Sequence, residues 1–407
     1  MAQQLDDWEA SFDAFHARFA HLFGRREPRE QSGKYLRGLM GRVERKNCWQ
    51  LAEAVGDARP DSLQRMLYEC PWDEEAARDI LQQFVVELFG APQGIAVVDE
   101  TGFVKKGRCS VGVQRQYSGT AGKIENCQVG VFLSYATAQG QSFLDRRLYL
   151  PEDWCEDRSR RQKAGVPEAV EFRTKPQLAL EMVRHAGEQG VPLRWVTGDE
   201  IYGNAGYFRQ GVAAQGLWYV LAVSVSTPVW RQRPRVQEPG RDTGGRPRTR
   251  ARLAPGAGPT TSVRAVVASW APSRWRRWEV AAGEKGPRVY DWAAQRVVET
   301  QAGLPGATVW LLARRSLNDP SEIAYYLSNA PANTPLAKLA HVASARWAIE
   351  QCFEEAKGET GLDHYQVRSW HSWHRHITLS LMAHAWLASV RSRSEGKRGA
   401  WTLTWPS

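Results

Sequence analysis

The sequence predicts an α/β protein: a mixed strand-and-helix core, interrupted by a mostly β insertion and preceded by a helical N-terminal domain. Three observations predict it. Residues 1–90 carry apolar side chains at helical spacing. Residues 91–225 alternate short, wholly apolar runs with amphipathic stretches, the pattern of buried strands joined by helices. Residues 226–330 open with an Arg, Pro and Gly-dense stretch and continue as strand-like pieces, before residues 331–392 return to helix and 393–407 read as a tail.

In the first region, Trp8, Phe12, Phe15, Phe19 and Phe23 mark one helix, and Tyr35–Met40 a second. Lys46–Gly56 and the run from Pro60 to Leu67 predict a helix, a glycine-containing turn and a helix, with Asp61 or Ser62 as N-cap. Such a pair is either a plain helical hairpin or a helix-turn-helix that turns Gln64 and Arg65 toward DNA.

In the core, Gly94–Asp99 is an apolar run ending in a carboxylate. Gln128–Tyr135 and Ser142–Leu150 are strand-like and joined by a turn at Gln139-Gly140. An amphipathic helix begins at Pro176 and stops at Gly190. The strand Leu193–Thr197 precedes Asp199, Tyr207–Gln215 is helical, and Leu217–Val223 is a further buried strand. The order strand, strand, strand, helix, strand, helix, strand is that of a ribonuclease H-like core lacking only its last helix. In the insertion, Arg231–Arg252 predicts a basic loop, and Ser262–Ala268, Trp275–Val280, Val309–Arg314 and Ile323–Ser328 predict strands, the last of which rejoin the main sheet.

Composition narrows the class. At 407 residues, 43% hydrophobic and 24% charged, the chain is long enough to bury a sizeable core in two or three domains. Its net charge of +10 and pI of about 9.4 point to a polyanionic partner, nucleic acid before an anionic membrane surface. No apolar run is long enough to span a bilayer, and the acidic, amphipathic start is not that of a signal peptide. Cys48, Cys70, Cys109, Cys127, Cys155 and Cys352 form no Cys-x-x-Cys pair. They read as reduced thiols of a cytoplasmic protein, not as a disulfide frame or zinc site.

The chemistry-bearing signal begins in Arg346–Lys357, rich in helix formers and free of Gly and Pro. At about 100° per residue, Arg346, Glu350 and Lys357 share one stripe. A carboxylate between two cations suits a site holding a metal ion and a phosphate; alone, it also fits a solvated face with two ion pairs. Asp99 and Asp199 change the balance, since both fall at the ends of apolar strands, where α/β sheets place their chemistry. Three convergent acids can hold two divalent ions roughly 3.5–4 Å apart, and Mg²⁺ prefers carboxylate and phosphate oxygens. Glu354 is the rival of Glu350, but Arg346 and Lys357 centre on Glu350. Glu100 and Glu200 alternate to the opposite strand face and read as supporting acids.

Arg45–Glu53, Val98–Gly107, Gln114–Gln128, Val196–Gly203 and Arg346–Arg368 together resemble the cut-and-paste DDE transposases of bacterial insertion sequences, most nearly the family numbered seven hundred and one. The likeness runs from about residue 35 to residue 390. The third block matches the family's Tyr-x2-Arg-x3-Glu-x6-Lys signature at Arg346, Glu350 and Lys357, and departs from it at the tyrosine, where Ala343 stands.

The resemblance implies Asp99, Asp199 and Glu350 as catalytic triad and metal ligands, two Mg²⁺ ions with Mn²⁺ able to substitute, and the β insertion between the second and third acids. It implies a transposase that cleaves element ends and joins 3′-hydroxyls to target DNA. The partners implied are double-stranded DNA (terminal inverted repeats and target) and a second copy of the chain, in the bacterial nucleoid. Arg346 and Lys357 become phosphate clamps, with Lys105 and Lys106 either alongside them or in a solvated turn. Arg115–Lys123, polar, basic and glycine-containing, reads as a DNA-contacting loop. The alternatives are a metal-dependent nuclease without strand transfer, a host-adopted DNA-binding protein descended from a transposase, and a paired-carboxylate glycosidase, which the high pI disfavours. His364, His371, His374 and His376 lie near Trp370 and Trp373, a cluster better explained by aromatic packing than by zinc.

Overall fold

The computed structural model describes residues 2–240, 249–283 and 286–395. Residues 2–194 and 347–395 form one compact unit, and the described residues from 195 to 346 form a second.

The first unit opens with helices α1 (Ala2–Ala17), α2 (Arg26–Met40), α3 (Cys48–Ala54), α4 (Asp61–Tyr68) and α5 (Glu74–Phe89). Asn47 and Asp73 cap α3 and α5 by accepting from two backbone N–H groups each. Neither Asp61 nor Ser62 caps α4: Pro60 holds that position, with no side-chain bond, because α4 begins one residue earlier than a cap at Asp61 would require. Strands β1 (Gly94–Val104), β2 (Gln114–Ser118), β3 (Lys123–Thr137) and β4 (Gly140–Tyr149) follow. β3 pairs antiparallel with β1, β2 and β4. Short helices α6 (Glu152–Glu156) and α7 (Arg158–Lys163) lead to α8 (Lys175–Glu188), which is held by a full capping box at Thr174 and Gln177.

Two sequence expectations change here. β1 does not stop at Asp99: pairing continues to Val104 opposite Cys127, so Asp99 lies within the strand, opposite Phe132. Arg115–Lys123 is not an open loop: β2 and the start of β3 zip into a hairpin, Arg115 opposite Asn126 and Ser118 opposite Lys123. Alternating polar side chains carry a strand as well as apolar ones when one face is solvated.

The second unit begins within β5 (Leu193–Gly198) and continues through α9 (Glu200–Asn204), α10 (Gly206–Ala214) and β6 (Trp218–Val223). The insertion adds β7 (Pro228–Trp230), β8 (Val236–Gln237), β9 (Arg252–Leu253), β10 (Thr261–Ser262), α11 (Val263–Ala268), β11 (Arg276–Gly283), β12 (Gly286–Gln301), β13 (Leu304–Arg315) and β14 (Ile323–Ser328), before α12 (Leu336–Ser344). β5 and β6 are parallel; β6, β14, β13 and β12 continue antiparallel, so the insertion's last strands do rejoin the sheet and the fold is mixed α/β. Ser262–Ala268 is helical where a strand was expected. Val263, Val266 and Val267 are buried at helical spacing, and the Ser262 hydroxyl caps the Ala265 N–H at 3.2 Å. Residues 241–248 of the basic loop and 396–407 of the tail lie outside the described residues.

The chain then returns to the first unit as α13 (Trp347–Thr360) and α14 (Trp370–Glu395). α14 is the pillar of that unit: Phe12 of α1 meets Trp386 edge-on at 5.6 Å, and α2, α4, α5 and β4 all pack along it. A buried ion network binds α5 to β4 and α14. Asp145, fully buried, takes Arg147 at 2.9 Å and Arg78 at 3.3 Å, while Glu74 takes Arg375 at 3.2 Å and His371 at 2.6 Å.

Candidate functional site

Asp99 shares a face of β1 with Thr101 and Phe103, because side chains alternate along a strand. Helices α13 and α14 cover that face. Phe103 contacts Tyr365 and Trp373, and Phe132, opposite Asp99 in register, meets Phe353 of α13 edge-on at 5.2 Å. Glu100 points the other way and pairs with Lys175 of α8 at 2.7 Å. The Asp99 carboxylate accepts the Glu100 N–H at 2.8 Å.

α13 presents Ile349, Cys352, Phe353, Ala356 and Thr360 to the core, and Glu350 and Lys357 border that buried face. Glu350 sits in the first turn, where the helix dipole favours an anion, and is half-buried, whereas Glu354 is exposed. Lys357 reaches back to β1: its Nζ donates to Thr101 Oγ1 at 2.7 Å and to Thr120 Oγ1 at 3.4 Å. Burial pulls its ammonium below the usual lysine range, with Asp363 opposing. The first unit therefore brings Lys357 of α13 to the Asp99-bearing face of β1, two residues from Asp99. Thr101 and Thr120 went unnoticed in the sequence; the one signal for Thr101 was its place two residues beyond Asp99.

The other cations separate. Lys105 lies 3.5 Å over the Tyr365 ring and donates to the Tyr365 carbonyl at 3.3 Å. Burial brings it down to about 8, with Asp363 opposing. Lys106 is exposed. Arg115 and Lys123 are exposed on the β2–β3 hairpin, Lys123 in an ion pair with Glu125 at 3.0 Å. Gln64 is half-buried and Arg65 exposed, 3.9 Å from Glu69, on a helix backed by α2 and α14.

In the second unit, Asp199 caps α9 by accepting the Ile201 N–H at 2.9 Å. Gly203 fixes α9 against β6, since a Cβ there would lie 1.7 Å from the Ala222 carbonyl oxygen. Because β5 ends at Gly198, Glu200 is not on a strand face; it is exposed in the first turn of α9. Arg346 occupies the turn before α13, not the helix itself, and its charge acts on the buried Tyr326 of β14. Ala343 is buried in α12.

Among the described residues, no group of three or more His, Cys, Asp and Glu side chains is assembled to hold a metal ion. The half-buried carboxylates of Asp99, Asp199 and Glu350 do offer the hard oxygen donors that Mg²⁺ prefers. The histidines go to different partners: His371 to Glu74, His374 to the Trp370 carbonyl, and His376 to Tyr35 and the Gly361 carbonyl. No described helix is long and apolar enough to cross a membrane.

A family model described as DDE superfamily endonuclease matches residues 18–287, a span that contains Asp99 and Asp199 and ends before Glu350. The probable transposase for insertion sequence element IS701 of Microchaete diplosiphon is 31% identical over 193 residues, 47% of this chain and 48% of that protein. The match thus spans about half the length of that relative. Among solved structures, the piggyBac transposase synaptic complex with hairpin DNA aligns at a TM-score of 0.47 and 11% identity, covering 97% of this chain and 77% of that one. The NurA nuclease from Sulfolobus solfataricus aligns at 0.27 and 8%, covering 80% and 92%. Scores this low establish no common fold.

Proposed function

The chain belongs to the DDE superfamily of endonucleases, and from that premise we propose that it is a DNA transposase with a ribonuclease H-like core, acting through Asp99, Asp199 and Glu350. The observation that carries the reading is the Lys357–Thr101 bond, which sets a cation from the Glu350 helix on the Asp99 face of β1.

Two Mg²⁺ ions held by the three carboxylates would supply Lewis-acid charge for in-line displacement at a phosphodiester. Lys357, and Arg346 from the second unit, would neutralise phosphate oxygens, and Thr101 holds Lys357 in place for that task. Water attacks phosphorus at the element end; the new P–O bond replaces the bond to the 3′-oxygen, which leaves as a 3′-hydroxyl after taking up a proton. That hydroxyl then attacks a second phosphodiester, one P–O bond forming as another breaks. Lys106, Arg115, Lys123, Gln64 and Arg65 would contact the duplex, and pairing two element ends calls for a dimer.

The test uses a plasmid bearing the inverted repeats that flank the gene, with Mg²⁺. Asp99→Ala, Asp199→Ala and Glu350→Ala should each abolish cleavage while the protein stays folded; a variant that cuts like the parent loses its assignment. Pre-cleaved ends should join to target DNA. Cutting without joining would reduce the protein to a nuclease.

A further inference from the structure

The β2–β3 hairpin holds two large apolar side chains in water, side by side. Tyr117 is 63% exposed and Ile124 59% exposed. They stand directly opposite each other in register, so they share one face. Arg115, also exposed, shares that face two residues before Tyr117. Pairing across the hairpin is worth about 0.2–1 kcal/mol, less than the roughly 1.5–3 kcal/mol that burying each such side chain would bring, so the pair leaves an apolar surface open to a ligand.

The hairpin is anchored where the proposed chemistry lies. Ser118 is fully buried and fills the space that a Cβ on Gly102 would need, 2.4 Å from the Ser118 hydroxyl. Thr120, in the turn, meets the Thr101 hydroxyl at 3.2 Å and donates to the Gly102 carbonyl at 3.3 Å. The same Thr120 hydroxyl accepts from Lys357. The tip is thereby fixed to β1 at the residues just after Asp99.

We propose that Tyr117, backed by Ile124, is a stacking platform for an unpaired DNA base at the duplex end being processed. This rests on the DNA-processing reading above. Every base offers a π-face, so an exposed ring binds single-stranded ends without needing a sequence. Arg115, on the same face, supplies charge that attracts the adjoining phosphates. Opening the last base pairs brings a phosphodiester within reach of a site on a rigid strand, and stacking offsets part of the lost pairing.

The test is equilibrium binding in EDTA, with a short blunt duplex and the same duplex ending in a fork of unpaired thymines. The parent should bind the fork roughly tenfold more tightly than the blunt end. Tyr117→Ala should lose that preference while keeping its affinity for the blunt duplex, and Tyr117→Trp should retain it. Equal binding of both duplexes by the parent, or an undiminished preference in Tyr117→Ala, overturns the proposal and leaves the transposase reading intact. A change of oligomeric state in Tyr117→Ala with the fork preference unaltered assigns the pair to a contact between copies and overturns it too. Failure to bind either duplex removes the DNA reading and the platform with it.

Discussion

Lys46 should be the residue whose single charge matters most to the helix that carries Glu350. It is buried, and its ammonium donates to the carbonyls of Leu39 and Gly41 at the end of α2, and of Glu359 in the last turn of α13. Cations are favoured at helix C-termini, and here one cation serves two of them. Its stem packs against Gly361, where a Cβ would come within 2.8 Å of the Lys46 Cβ, and whose φ of 62° suits glycine.

Lys46→Met keeps the stem and removes the charge. Three charge-assisted bonds at about 1.5 kcal/mol each sum to about 4.5 kcal/mol, the low end being apt because burial already depresses the ammonium's pKa. Glu359 is exposed and Gly41 half-buried, so their carbonyls regain water, while that of buried Leu39 does not. A net loss of about 3 kcal/mol follows. Urea unfolding of parent and variant measures it, and amide exchange should show the Leu362 N–H, bonded to the Ala356 carbonyl, losing protection. A loss below about 0.5 kcal/mol would refute the double-helix clamp.

Two further outcomes follow from the same geometry. Lys357→Ala should leave urea stability within about 1 kcal/mol but slow DNA cleavage by roughly 10²–10³, the cost of losing one preorganised cation; unchanged cleavage rates would remove it from the site. His374 and His376 are pulled down to about 3, chiefly by burial, with Arg146 and Lys105 respectively among the repelling charges. Below pH 6.5 the unfolded chain therefore binds protons that the native chain does not, so stability falls with pH, by about 2 kcal/mol per histidine at pH 5. Burial pushes Glu355 up, but hydrogen bonds from His384 and Gln351 together with the charges of His384 and Arg391 bring it to about 2, so it adds to the loss only as pH falls through its ordinary carboxylate range and below. Urea unfolding at pH 7 and pH 5 checks this, and His376→Gln should shrink the loss by the share of one histidine, about 2 kcal/mol, with His341 and His16, also lowered by burial, keeping theirs; a midpoint that does not move would contradict neutral, buried histidines.

Much of the architecture was legible because periodicity is local. The apolar run from Gly94, the helix from Pro176 and the strand before Asp199 each carry their own pattern and stop signals. The misreadings arose where local pattern was ambiguous. Valines in Ser262–Ala268 look β-prone, yet their spacing buries them on a helix. Polar alternation in Arg115–Lys123 looked like a loop until β3 supplied the partner strand. Asp99 was placed at a strand end because apolar residues stop there, but backbone pairing does not require apolar side chains.

The sequence by itself determined the α/β class, the basic character and the candidate acids Asp99, Asp199 and Glu350, since these rest on composition and short-range spacing. Only the tertiary structure decided what Lys357 touches. Its bond to Thr101 joins residues 256 positions apart, a contact that no spacing rule encodes. The same holds for Lys46, one basic residue of the Arg45–Glu53 stretch in the sequence, which closes two helices in the fold. A charged side chain's role is set by which carbonyls and hydroxyls packing brings to it, and packing is a property of the whole fold.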